Sequence, residues 1–215
     1  MMAPGGAKVV RSTVTNAYNF LDVEFGRFIA QNLYIGAFNI GVNIDHTYDF
    51  VTLHNLHNGV FWDEVEGASY PTAIDNWVLN NGTALVVERI DGLLLDNFYV
   101  FSRSTGILLT DSPDTSVIPR SGGGAGSNID LEAVQYGIVA IASTQYRYGY
   151  EFTNLQVGAA PGLGQAAVQL RSGGSNPPDV LINGGSVRGS WAFGAFPKPQ
   201  AGNLTHVNII GSDLP

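Results

Sequence analysis

The chain has no cysteine among its 215 residues, which excludes a disulfide framework and a thiolate metal centre. Charge is also scarce: Asp, Glu, Lys and Arg make up 13% of the chain, about half the usual share. Basic residues are the scarcer, 10 against 18 acids, and the net charge is −8. A surface of that sign disfavours nucleic acid and anionic membranes as partners. No apolar run approaches the ~18 residues of a membrane span. The opening stretch, MMAPGGAKVV, lacks the charged and apolar regions of a signal peptide, so any export signal is expected to lie outside this sequence. Short catalytic signatures are missing too. There is no GxSxG and no HExxH. GGGAG (122–126) lacks the Lys-Ser/Thr of a phosphate loop and reads as flexible. GLGQAA (162–167) matches a dinucleotide fingerprint in letters only, since no helix is expected after it.

What is present is glycine, 27 residues of it, and 45% apolar residues. That suits one all-β domain with a sizeable core and many tight turns. The segment LLLDNFYV (93–100) poses the organising question. It alternates like a buried strand, yet Asn97 interrupts it, and Asn is disfavoured within strands. The same frame recurs in FIAQNLYI (28–35), VTLHNLHN (51–58) and YEFTNLQV (150–157). It recurs again in VLINGGSV (180–187) and VNIIGSDL (207–214), with Gly in the Asn place. Asn and Gly tolerate left-handed backbone. Asn32, Asn55, Asn97 and Asn154 are therefore expected to be corners, each joining two short strands that keep their apolar sides inward.

Corner spacings of 23, 42, 57, 30 and 27 residues fit a base period of 23–30. The 42 reads as one coil with an insertion at 60–82. The 57 reads as two coils, or as one coil with a long loop holding SGGGAGSN (121–128). A second alternating motif precedes the corners, in IGVNID (40–45), TALVVE (83–88), TGILLTD (105–111), YGIVAIAS (136–143) and AAVQLRS (166–172).

Three short strands per coil, with an Asn column at one tight turn, resemble the right-handed parallel β-helix of the pectate lyase-like superfamily. The resemblance covers about Phe28 to Leu214 and is specific for the fold rather than for one activity. It implies an all-β, single-stranded right-handed parallel β-helix of about seven coils with three short strands each. The whole of 1–215 is then one domain, a trimmed fragment, with 60–82 as an inserted loop. Coils must stack because none buries its apolar face alone, and stacked Asn amides can bond along their column. A β-sandwich would instead show hairpin signals between alternating strands. HNGV (57–60) and NNGT (80–83) only flank the insertion. No capping helix is evident at either end, so oligomerisation through uncapped ends is open.

The resemblance places ligands in an outer groove beside the strands of the second motif. Those strands end at Asp45, Glu88 and either Thr110 or Asp111. With coils ~4.8 Å apart, Asp45, Glu88 and Asp111 form the candidate catalytic column. Crowded carboxylates raise one another's pKa and suit glycoside hydrolysis. The same acids suit Ca²⁺, and turns favour Asp regardless of function. His46 and Arg89 are candidate substrate contacts. So are Trp62, Tyr70 and Trp77 of the insertion, whose aromatic faces near carboxylates suit sugar stacking. His54 and Asp96 are placed for a hydrogen bond between adjacent coils. His54 and His57 lack a third ligand for zinc.

Departures from the family matter here. The polygalacturonase set (Asn-Thr-Asp, Asp-Asp, Gly-His-Gly, Arg-Ile-Lys) is missing, and ERID (88–91) does not replace any of it. No motif selects an arginine as a lyase base. The expectation is a carbohydrate-active protein of the cell surface or exterior, acting on a polysaccharide as a glycoside hydrolase without a resident cofactor. The alternatives are a Ca²⁺-dependent polysaccharide lyase and a non-catalytic glycan-binding or structural module of tailspike or adhesin type. Fold analogy carries all three.

Overall fold

The computed structural model describes residues 6–24, 26–59, 71–114, 116, 122–141, 149–159, 166–171, 180–188, 193–195 and 207–213. Those residues are all-β apart from one short helix. The strands are β1 (Ala7–Glu24), β2 (Phe28–Asp45), β3 (Thr47–Gly59), β4 (Thr83–Val87), β5 (Ile90–Leu109), β6 (Gly124–Ile141), β7 (Tyr150–Ala159), β8 (Ala166–Arg171), β9 (Val180–Arg188), β10 (Phe193–Ala195) and β11 (Val207–Asp213). Helix α1 (Thr72–Asn81) lies between β3 and β4. Among the described residues every strand pairing is parallel.

The long strands bend, so that one strand serves two neighbours. β2 pairs with β3 through Phe28–Ile35 and with β4 through Ile40–Ile44. β5 pairs with β3 through its first half and with β4 through Thr105–Leu109. β3 and β4 are therefore one rung, interrupted by the chain between Gly59 and Thr83. β7 and β8 share a rung against β6 in the same way.

The bends fall at left-handed residues. Asn32 (φ 56), Asn55 (φ 54), Asn97 (φ 53) and Asn154 (φ 54) adopt this backbone as expected, and Gly184 (φ 75) extends the column. Two more rungs escaped the pattern. Asn128 (φ 53) stands in register with Asn97 and Asn154, so the 57-residue gap holds two rungs. Arg11 (φ 52) stands in register with Asn32 and adds a rung before Phe28. A second left-handed set, at Asn16, Ser102 and Ala133, bends the rungs again.

The glycine run expected to be a flexible loop instead contributes strand, since β6 begins at Gly124. Packing explains it. A Cβ on Gly126 would lie 2.7 Å from Ile129 Cδ1 and 2.8 Å from Phe152 Cδ1. Large neighbours fill the space that glycine leaves, so this rung needs no inward bulk of its own.

Inward side chains stack from rung to rung. One column runs Ala30, Leu53, Leu95, Gly126, Phe152 and Ile182; another runs Leu33, Leu56, Phe98, Ile129 and Leu155. The apolar members belong to one buried cluster, the Leu, Ile and Phe side chains each worth ~1.5–3 kcal/mol of apolar burial. Asn58 is buried among them and donates to the Ala84 carbonyl at 3.1 Å, which ties together the two ends of the insertion. Helix α1 docks beside that junction through buried Val78. Its C-terminal Leu79 carbonyl accepts from Gln135 Nε2 at 2.8 Å.

At the corners the Asn side chains form a ladder. Asn55 donates to Asn32 at 2.7 Å, Asn97 to Asn55 at 2.8 Å, and Asn154 to Asn128 at 3.0 Å. Asn128 departs from this and donates to Asp96 at 3.2 Å. Asn55 both donates and accepts, so it tests the device best. Asn55→Ala is expected to cost about 2–3 kcal/mol, from two hydrogen bonds and a strained left-handed residue. Asn55→Gly keeps the backbone at ease and should cost ~1 kcal/mol less. Denaturant melts measure both, and equal losses would remove the backbone part of the argument.

Candidate functional site

β2 and β4 end side by side, with Ile44 paired to Val87 and Val87 to Leu109. One residue on, this register aligns Asp45 with Glu88 and with Thr110. Asp111 thus lies one place beyond the rung position, and the three-carboxylate column becomes two carboxylates and a threonine. On the other side Glu24 pairs with Asp45, and Asp22 with Asn43. Glu24, Asp45 and Glu88 therefore occupy successive rungs, ~4.8 Å apart.

Asp45 is buried, and its oxygens are occupied. Oδ1 accepts from the backbone N–H of His46 at 2.8 Å and of Arg89 at 3.1 Å. Oδ2 accepts from Ser112 Oγ at 2.8 Å and sits 2.9 Å from His46 Nδ1. His46 is in left-handed conformation (φ 53), which turns its ring back over Asp45. Its Nε2 lies 3.2 Å from Asp114 Oδ2. Paired donors of this kind are what a buried carboxylate requires. Asp45 is thus a buried acceptor that organises the turn.

Glu88 differs. It is half-buried on the outer face, and its pKa is pushed up to about 8. Burial is the largest cause, followed by the charge of Asp45 and a hydrogen bond to that carboxylate. Asn43 donates to Glu88 and pulls the other way, while the charge of Asp22 adds to the rise. Asn43 also donates to Asp22 at 2.9 Å. The result is a polar line from Asp22 through Asn43 to Glu88, with Glu88 keeping its proton at neutral pH.

The other expected site residues fall into three groups. Arg89 is structural in its contacts: it is buried, Nη1 donates to Asp91 at 2.7 Å and to the Thr47 carbonyl at 3.3 Å, and Tyr48 covers its guanidinium at 4.8 Å. Trp77 lies on α1 beside Tyr18, ring centroids 5.9 Å apart, at the opposite end of β4 from Glu88. Trp62 and Tyr70 lie outside the described residues. Sequence reasoning missed Asn43, Asp22, Ser112 and Asp114. Asn43 had a signal, since it stands two residues before Asp45 in IGVNID and so shares its face. Asp22 was hidden because its rung turns on Arg11 instead of Asn or Gly.

Among the described residues, no three His, Asp or Glu side chains converge on a cation site. No protein-family model, curated protein or solved structure matches the chain.

The raised pKa has a consequence for stability. The unfolded Glu88 ionises near 4.5, whereas the folded one holds its proton to about 8. Between those values the folded chain binds a proton that the unfolded chain has released, so stability falls as pH rises. Glu88→Gln should flatten that fall, by ~1–2 kcal/mol after solvent screening of a half-exposed group. Urea melts of both proteins from pH 4 to 9 measure it, and parallel curves would contradict the assignment.

Proposed function

We propose that the chain is a right-handed parallel β-helix of about seven coils that acts on a polysaccharide outside the cell or at its surface, as a glycoside hydrolase. The all-parallel pairing, the bent rungs and the Asn ladder support the fold. One observation carries the activity: a half-buried outer glutamate whose pKa is pushed up to about 8, beside further carboxyl groups.

Glycoside hydrolysis needs an acid to protonate the leaving oxygen and a second carboxylate for water or for the sugar carbon. Glu88 fills the first role. Asp45 is a poor second because it is buried and already accepts three hydrogen bonds. Asp22 is the better one, being exposed and oriented by Asn43. It stands two rungs from Glu88, and Asn43, which donates to both, bridges the two carboxyl groups. The acidic surroundings of Glu88, and the engagement of Arg89 elsewhere, favour a neutral glycan over a uronate.

The second reading is a non-catalytic glycan-binding module. The saturation of Asp45 favours it, since that carboxylate has only a structural use. A release assay separates the readings. Neutral and acidic polysaccharides are incubated with the protein, with and without Ca²⁺, and reducing ends and unsaturated products are followed. Reducing ends from a neutral glycan are expected, reduced at least ~100-fold in Glu88→Gln and in Asp22→Asn. Asp111→Asn should lose less than about tenfold, because it removes no acid or base of the pair. Activity should fall as pH rises through about 8. Unsaturated products that need Ca²⁺ would mean a lyase, and glycan binding without product would mean a module.

A further inference from the structure

A second feature lies away from Glu88, on the outer face of the strands leading into the Asn corners. There the register aligns His54 with Asp96, Ser127 and Thr153, and Thr52 with Leu94, Ala125 and Glu151. These two rows line a groove of about 490 Å³. That volume is in the range of small-molecule sites. The lining spans four rungs, ~14 Å along the stack.

Its chemistry is mixed in a particular way. Leu94 is 46% exposed, so the floor offers an apolar face to water. Beside it, Asp96 is held in place: Oδ1 accepts from Ser127 Oγ at 2.6 Å and from Asn128 at 3.2 Å, and Oδ2 meets His54 Nδ1 at 2.9 Å. The bond from Ser127 is the main reason the Asp96 carboxyl titrates below the usual carboxylate range. An ionised Asp96 makes Nδ1 of His54 a donor, so in the neutral ring Nε2 carries the lone pair. The ring is fixed, and its side chain is 43% exposed.

Exposed aromatic residues connect this groove to the Glu88 site. Tyr48 lies over Arg89, and Phe50, 51% exposed, lies over Gly92. A Cβ at Gly92 would approach Phe50 Cε1 to 2.5 Å, so glycine is needed for the ring to rest there. Large exposed apolar side chains gathered in one strip mark a binding surface more often than chance.

We propose that this groove is a saccharide subsite, taking a ring of a neutral glycan with its apolar face on Leu94 and a hydroxyl donating to His54 Nε2. The inference rests on the glycan reading above and adds a second contact point for the same chain, reached across Phe50. Asp96 and Glu151 make the rim anionic, which disfavours uronates. Thr52, Ser127 and Thr153 supply hydroxyls for the remaining sugar groups.

The test uses Glu88→Gln protein, so that substrate is bound and not consumed. An array of neutral oligosaccharides and matching oligouronates is screened by saturation-transfer NMR, and methyl shifts of Leu94 and Thr52 are followed. At least one neutral oligosaccharide is expected to bind and to shift both methyls. His54→Ala and Leu94→Asp should each weaken it tenfold or more, with a denaturant melt of each variant checking that it folds. Gln156→Ala, on the far side of the corner, should leave binding unchanged. The subsite is refuted by an array that stays silent, by tighter binding of uronates, or by binding that both groove substitutions leave intact. Binding at Leu94 without hydrolysis by the wild type would keep the subsite and refute the role of Glu88. Hydrolysis without groove shifts would do the reverse.

Discussion

The structure depends on one backbone conformation used again and again. A left-handed residue at each corner lets a strand bend while its apolar side chains stay on the inner side. Nothing in the core can stack unless these bends coincide from rung to rung. Asn serves best, because its amide both tolerates the conformation and bonds to the amide above or below. Asn55 does all three things at once: it bends its rung, donates to Asn32 and accepts from Asn97. Where Asn128 turns to Asp96 instead, the ladder exchanges an amide-to-amide bond for an amide-to-carboxylate one that helps to fix His54.

The same register creates the chemistry outside. Parallel stacking repeats like positions every ~4.8 Å, so any acid at a strand end meets whatever the next rung places there. Glu24, Asp45 and Glu88 coincide in this way. Their environments then diverge. Asp45 lies buried among its donors, and Glu88, close to it and half removed from water, has its pKa pushed up to about 8. Two similar carboxyl groups meet different surroundings because one lies under a turn and the other beside it.

Much of the fold was legible because the device is local. The Asn corners were visible in the sequence, and so were the outward rows beside them, including the His54–Asp96 pair. What failed to show was equally physical. Arg11 bends the first rung without being Asn or Gly, so that rung had no mark. Gly124 and Gly126 hide a strand because Phe152 and Ile129 supply its inner bulk from elsewhere. The site was half legible. Asp45 and Glu88 were placed together from their motif ends, but the one-residue register that puts Thr110 in the third position could not be read from alternation alone. Arg89 looked available to a ligand, and burial with Asp91 and Tyr48 removes it.

The central claim is the protonation of Glu88, and carboxyl-carbon NMR of glutamate-labelled protein tests it most directly. The resonance that disappears in Glu88→Gln identifies the group. A midpoint near 8 is the predicted result, and one near 4.5, the ordinary glutamate value, would contradict the account.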